Sequence, residues 1–168
     1  MSIEMGFVRG VRFAAIIAAT LTLGACASQS DNAGDGAGGF GAGGAATPGS
    51  QQDFVVNVGD RIFFANDSSD INTEARSVLD RQASWLGKYP RYAVTIEGHA
   101  DERGTREYNI ALGARRASAA RDYLISRGVP STRLKTISYG KERPVAVCDA
   151  ESCWSQNRRA VTVLGGAN

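Results

Sequence analysis

Apolar positions follow three different patterns along the chain. A continuous apolar run covers Phe13 to Leu23, and the stretch from Ser28 to Gln52 has almost no bulky side chains. From Phe54 to about Leu164 apolar residues recur with the periods of strands and helices. Arg61-Ile62-Phe63-Phe64 is β-favouring, with Phe54-Val55-Val56 before it and the turn-type cluster Asn66-Asp67-Ser68-Ser69 after it, so one strand or two are expected here. Ala75, Val78, Leu79 and Leu86 share one helical face behind Asn72, whose side chain can cap the first turn, and that helix must stop before Pro90. Tyr92, Val94 and Ile96 alternate with Ala93, Thr95 and Glu97, the period of a strand buried on one face. Thr105 can cap a second helix running to Arg127, ended by Gly128 and Pro130. Leu134 to Tyr139 and Arg159 to Leu164 supply two further strands, separated by a loop that contains Pro144, Cys148 and Cys153. The order β-α-β-α-β-β predicts an α/β (α+β) two-layer sandwich, a mixed sheet with the helices on one face.

The first two regimes set the domain organisation. Arg9 and Arg12 precede an apolar stretch suited to a secretion signal but well short of the ~20 residues needed to span a bilayer. It ends in Leu23-Gly24-Ala25-Cys26, which resembles the lipobox of bacterial lipoproteins. That resemblance implies a signal over residues 1–25, cleavage before Cys26, and acylation of Cys26 as the anchor. Several acyl chains give stable attachment at about 0.8 kcal/mol per buried methylene. Ala27 is not the aspartate that retains enteric lipoproteins at the inner membrane, so delivery to the outer membrane is implied, with the domain facing the periplasm. Residues 26–53, rich in Gly, Ala, Ser, Asp and Asn, read as a tether in which Phe40 is the only large apolar group. A coil of ~25 residues reaches roughly 25–30 Å on average. One domain remains, residues 54–168.

Charge excludes more than it suggests. A net charge of +2 gives no basis for nucleic-acid binding. The basic pairs Arg115-Arg116 and Arg158-Arg159 read as solvated or ion-paired faces. His99, Asp101 and Glu102 superficially offer an acid and a base, but His99 is the only histidine and no Ser or Cys sits in a nucleophile motif. Neither catalysis, nor a metal site, nor a cofactor is expected, and His99 reads as a loop-packing residue. In an oxidising compartment Cys148 and Cys153 are best read as a disulfide; a metal site would need more ligands than Asp149 and Glu151 add.

The specific signal is Glu97-Gly98-His99-Ala100-Asp101-Glu102-Arg103-Gly104-Thr105, followed by Tyr108-Asn109-Ile110-Ala111-Leu112-Gly113 and Arg115-Arg116-Ala117. These runs resemble the OmpA-like peptidoglycan-binding family over about Arg61 to Leu164. Ser138 to Pro144 and Ser155 to Val161 are similar to a lipoprotein branch of that family. The resemblance implies a non-catalytic link between outer membrane and cell wall, with TolB and TolA as protein partners and a role in envelope integrity and constriction at division. The implied ligand is the meso-diaminopimelate of the peptidoglycan stem, whose free end carries an ammonium and a carboxylate. By the same resemblance Asp101 takes the ammonium and Arg116 the carboxylate, through paired hydrogen bonds that lysine cannot reproduce. Asn109 and Arg116 lie about two turns apart on one helical stripe with Leu112 between them. Asn109 would steady the loop or touch the peptide, Leu112 would pack beneath it, and Asp67 would contact it through its backbone. The loop at Ala65-Asn66 departs from the family pattern, in which Asp or Gly and then an apolar or aromatic residue are common.

Overall fold

The computed structural model describes residues 46–167; the signal, Cys26 and the tether as far as residue 45 lie outside the described residues. Within them the sheet has four strands: β1 (Arg61–Phe63), β2 (Tyr92–His99), β3 (Leu134–Gly140) and β4 (Arg159–Ala167), in the spatial order β1-β4-β2-β3. β4 runs antiparallel to both β1 and β2, while β3 pairs parallel with β2. The last strand is thus inserted between the first two, and β1, β2 and β3 all point the same way. Their carboxyl ends share one edge of the sheet, the edge at which open α/β sheets place ligands.

Two long helices cover one face. α2 (Thr73–Lys88) starts at Asn72, whose side chain accepts from the Ala75 amide at 2.8 Å, and α3 (Arg106–Ser126) starts at Thr105, which accepts from the Tyr108 amide at 3.2 Å. Each cap satisfies an amide that the helix itself leaves unpaired. Leu79, Leu86, Ile96, Ala117 and Leu124 are fully buried between helices and sheet. α3 lies unusually close to β2, because a Cβ on Gly98 would fall 1.8 Å from the Gly113 carbonyl oxygen and one on Gly113 would fall 2.4 Å from Ser138 Oγ. Two glycines facing each other bring the first half of α3 against the end of β2.

Three expectations change. Phe54-Val55-Val56 is not a second strand: Gln51–Asp53 forms a short helix, α1, and Phe54–Val58 continues it as a wider turn. Phe54 has no exposed surface and packs on Trp85 with ring centroids 4.9 Å apart, so its burial overrides the β preference of the valines. The domain boundary at 53/54 also moves back. Gly49 accepts from Tyr92 Oη (2.7 Å) and Arg91 (2.9 Å), and Asp53 accepts from Trp85 Nε1 (2.8 Å), so these residues are stitched to the core by polar contacts that a hydrophobicity pattern does not register. Finally, the loop before β4 contains a helix, α4 (Glu151–Asn157), so the order is β-α-β-α-β-α-β after α1. Cys148 and Cys153 are joined by a disulfide that ties the start of α4 to the loop before it.

Candidate functional site

At the carboxyl edge of the sheet, the β1–α2 loop, the β2–α3 loop and the first turns of α3 enclose a cavity of about 310 Å³. Asp67, Asp101, Asn109, Leu112 and Arg116, drawn from three separate stretches of sequence, all line it, and so does Asn66. Arg103 and Tyr108 line it as well; both stand in the family motif but are not among the ligand residues that the resemblance implies.

Arg116 has no exposed surface. Its Nε donates to the Ser68 carbonyl at 2.8 Å, Nη1 to the His99 carbonyl at 2.8 Å and Nη2 to the Ala65 carbonyl at 3.1 Å. One side chain therefore fastens the β1–α2 loop and the end of β2 to α3. The guanidinium touches no carboxylate among the described residues. Burial pushes its pKa down to about 10, with the charge of Asp101 acting in the opposite direction. Three of its five N–H groups are used by carbonyls, leaving one each on Nη1 and Nη2.

Asp101 is also buried but in the opposite electrostatic state. Arg103 reaches it with Nη2 at 2.6 Å and Nε at 3.2 Å, the Arg103 amide adds a bond at 3.2 Å, and Arg158 stands at 3.4 Å. Burial acts to raise the carboxyl's pKa, but the hydrogen bonds from Arg103 win and hold it below its ordinary value. Asn109 Nδ2 donates to the Arg103 carbonyl at 2.8 Å, and Lys141 Nζ donates to the carbonyls of Glu102 (3.1 Å) and Gly104 (2.6 Å). The β2–α3 loop is therefore held from both sides. Asp67 takes a left-handed backbone conformation (φ 52°), and its carboxylate accepts from Tyr108 Oη. Asn66 Oδ1 accepts from Arg103 Nη2 at 2.6 Å, so the position expected to be apolar in relatives is here a polar anchor for an arginine.

Of the solvated or ion-paired faces expected for the two basic pairs, solvation holds only for Arg115, because Arg116, Arg158 and Arg159 are buried, and ion pairing holds for Arg158. Arg158 pairs with Glu151 and with Asp101, while Arg159 donates to the backbone at Asn157 (3.3 Å) and Arg143 (3.1 Å). His99 lies outside the cavity, 2% exposed and stacked on Tyr139 at 5.6 Å. Burial, reinforced by the charges of Arg159 and Arg143, pushes its pKa down to about 4.

Residues 63–159, more than half of the chain and the whole of this cavity, match the profile of the OmpA family. The chain belongs to the OmpA family. Among members of that family, it is 73% identical over 149 residues to the peptidoglycan-associated lipoprotein of Rhizobium meliloti (strain 1021), covering 88% of this chain and 84% of the relative. It is 68% identical over 157 residues to the peptidoglycan-associated lipoprotein of Agrobacterium fabrum, covering 91% and 88%. The crystal structure of the peptidoglycan-associated lipoprotein from Burkholderia pseudomallei superposes with a TM-score of 0.62 at 40% identity, over 63% of this chain and 90% of that one. The mixed sheet with helices on one face is thus the fold of this family.

Proposed function

We propose that this chain is a non-catalytic lipoprotein whose family domain grips the diaminopimelate branch of the peptidoglycan stem. The anchor would be an acylated Cys26 in the outer membrane, with TolB and TolA as protein partners in envelope integrity and constriction at division. The observation that carries this reading is the state of Arg116. A buried guanidinium with no carboxylate in contact is costly unless an anion completes it, and the two N–H groups left over suit a carboxylate. Asp101, lining the same cavity, supplies the opposite charge for an ammonium. Asn109 would then keep the loop in place and Leu112 would carry the ligand's methylenes. The relatives' shared description as peptidoglycan-associated lipoproteins supports peptidoglycan as the polymer bound.

The test is co-sedimentation of the chain with purified sacculi. Asp101→Asn keeps the shape of the side chain and removes the charge, and is expected to weaken binding by about thirtyfold or more, as loss of one partner in a desolvated charge pair does. Added free meso-diaminopimelate should compete with the sacculi for wild type. Unchanged sedimentation of Asp101→Asn would mean that the cavity is not the site. For the Tol partners the test is recovery of TolB with this chain from native envelopes; its failure would favour a lipoprotein of this family that works outside the Tol system.

A further inference from the structure

The two charged ends of the cavity are in opposite states. Arg116 touches no carboxylate among the described residues, whereas Asp101 already holds a cation, because Arg103 makes a two-point contact with it at 2.6 and 3.2 Å. Arg103 is the more exposed partner of that pair, its side chain 39% exposed against 9% for Asp101, and its Nη2 also donates to Asn66 Oδ1 at 2.6 Å. It also has partners that remain to it without Asp101. Its guanidinium lies over the Trp154 ring at 4.2 Å, and it feels the charges of Glu151 and Glu102 in addition to that of Asp101. Trp154 is fixed by a hydrogen bond from Nε1 to the Glu102 carboxylate, so the platform stays when the cation swings off Asp101. Arg158, with only 6% of its side chain exposed, stays behind between Glu151 and Asp101.

The geometry points to Arg103 as an internal competitor for the ligand's ammonium, a cation that holds Asp101 until a ligand with both charges displaces it. This rests on the assignment of Asp101 and Arg116 proposed above. An ammonium arriving alone must first displace Arg103 from Asp101, so part of what it gains there is spent on breaking that pair. A ligand that also brings a carboxylate to Arg116 gains an interaction that no side chain of the described residues makes. Arg103 therefore raises the threshold for every ammonium ligand by the same factor, and the ligand that also satisfies Arg116 clears it.

The measurement is calorimetric titration of the full chain with two soluble muropeptides. One carries meso-diaminopimelate at the third position; the other carries L-lysine there, which keeps the ammonium and lacks the carboxylate. Arg103→Gln is expected to tighten both by a similar factor, on the order of five- to tenfold, leaving their ratio unchanged. Arg103→Lys, which keeps the cation but not the two-point contact, should fall between wild type and Arg103→Gln. Weaker binding of either peptide by Arg103→Gln would make Arg103 a ligand contact and overturn the inference, and so would affinities equal to wild type. If Asp101→Asn binds both peptides as well as wild type does, the underlying assignment fails, and this inference falls with it.

Discussion

Arg116 is asked to do two things at once, and the structural one is the more exacting. It presents a charge to the cavity, yet its three bonds to the Ser68, His99 and Ala65 carbonyls are what hold the cavity's walls together. Arg116→Ala would leave those buried acceptors without donors, at an expected cost of about 3 kcal/mol or more, read as a lower midpoint of urea unfolding. A loss of ligand binding in that variant would say little about ligand contact, which is why Asp101 is the better residue to test. His99 gives a second effect at this scale. Its folded pKa is held near 4, below the 6.5 of an ordinary histidine. Between those values the unfolded chain takes up a proton that the folded chain refuses, so stability falls as pH drops from 6.5 towards 4 and returns as pH rises. The contribution is at most about 3 kcal/mol, and His99→Gln should flatten the pH dependence of the urea midpoint across that window. A slope equal to that of wild type would show that His99 is not the group responsible.

Elements, in contrast to single residues, follow the sequence closely where their signals are local. α2, α3, β2 and β3 begin and end within a residue or two of where caps, prolines and alternation place them. α4 and the turn at Phe54–Val58 were not legible, because each owes its shape to partners distant in sequence. Phe54 needs Trp85, and α4 is tied through Arg158 to Asp101. The candidate site divides along the same line. Its five expected residues were readable through a family pattern, whereas Arg103 gains its role only when folding brings Asn66 and Trp154 beside it. What brings α3 near enough to complete the cavity is the Gly98–Gly113 contact, where backbone meets backbone and no flexible side chain can yield. Gly98→Ala should therefore push α3 away from β2. Overpacking of this kind costs about 1–3 kcal/mol, and more where both sides are main chain, so a thermal midpoint within a degree of wild type would contradict this account.

At the scale of the whole molecule, the contacts of Gly49 with Arg91 and Tyr92 fasten the incoming chain at the amino end of β2, while the cavity lies past its carboxyl end. The eight residues of β2 separate the two points by about 25 Å at roughly 3.3 Å per residue. On the function proposed above, mechanical load between an anchor at Cys26 and a ligand in the cavity would run lengthwise along β2, which is hydrogen-bonded on both flanks, to β3 and to β4. Such a load shears many bonds together, whereas a crosswise pull opens them one after another. In an optical trap with handles at Thr47 and Lys141, the domain should yield at a higher force than with handles on the two opposite outer strands of the sheet, at Phe63 and Lys135. With the proposed anchor and ligand at opposite ends of one central strand, this small domain would be strongest in the direction in which such a tether would pull.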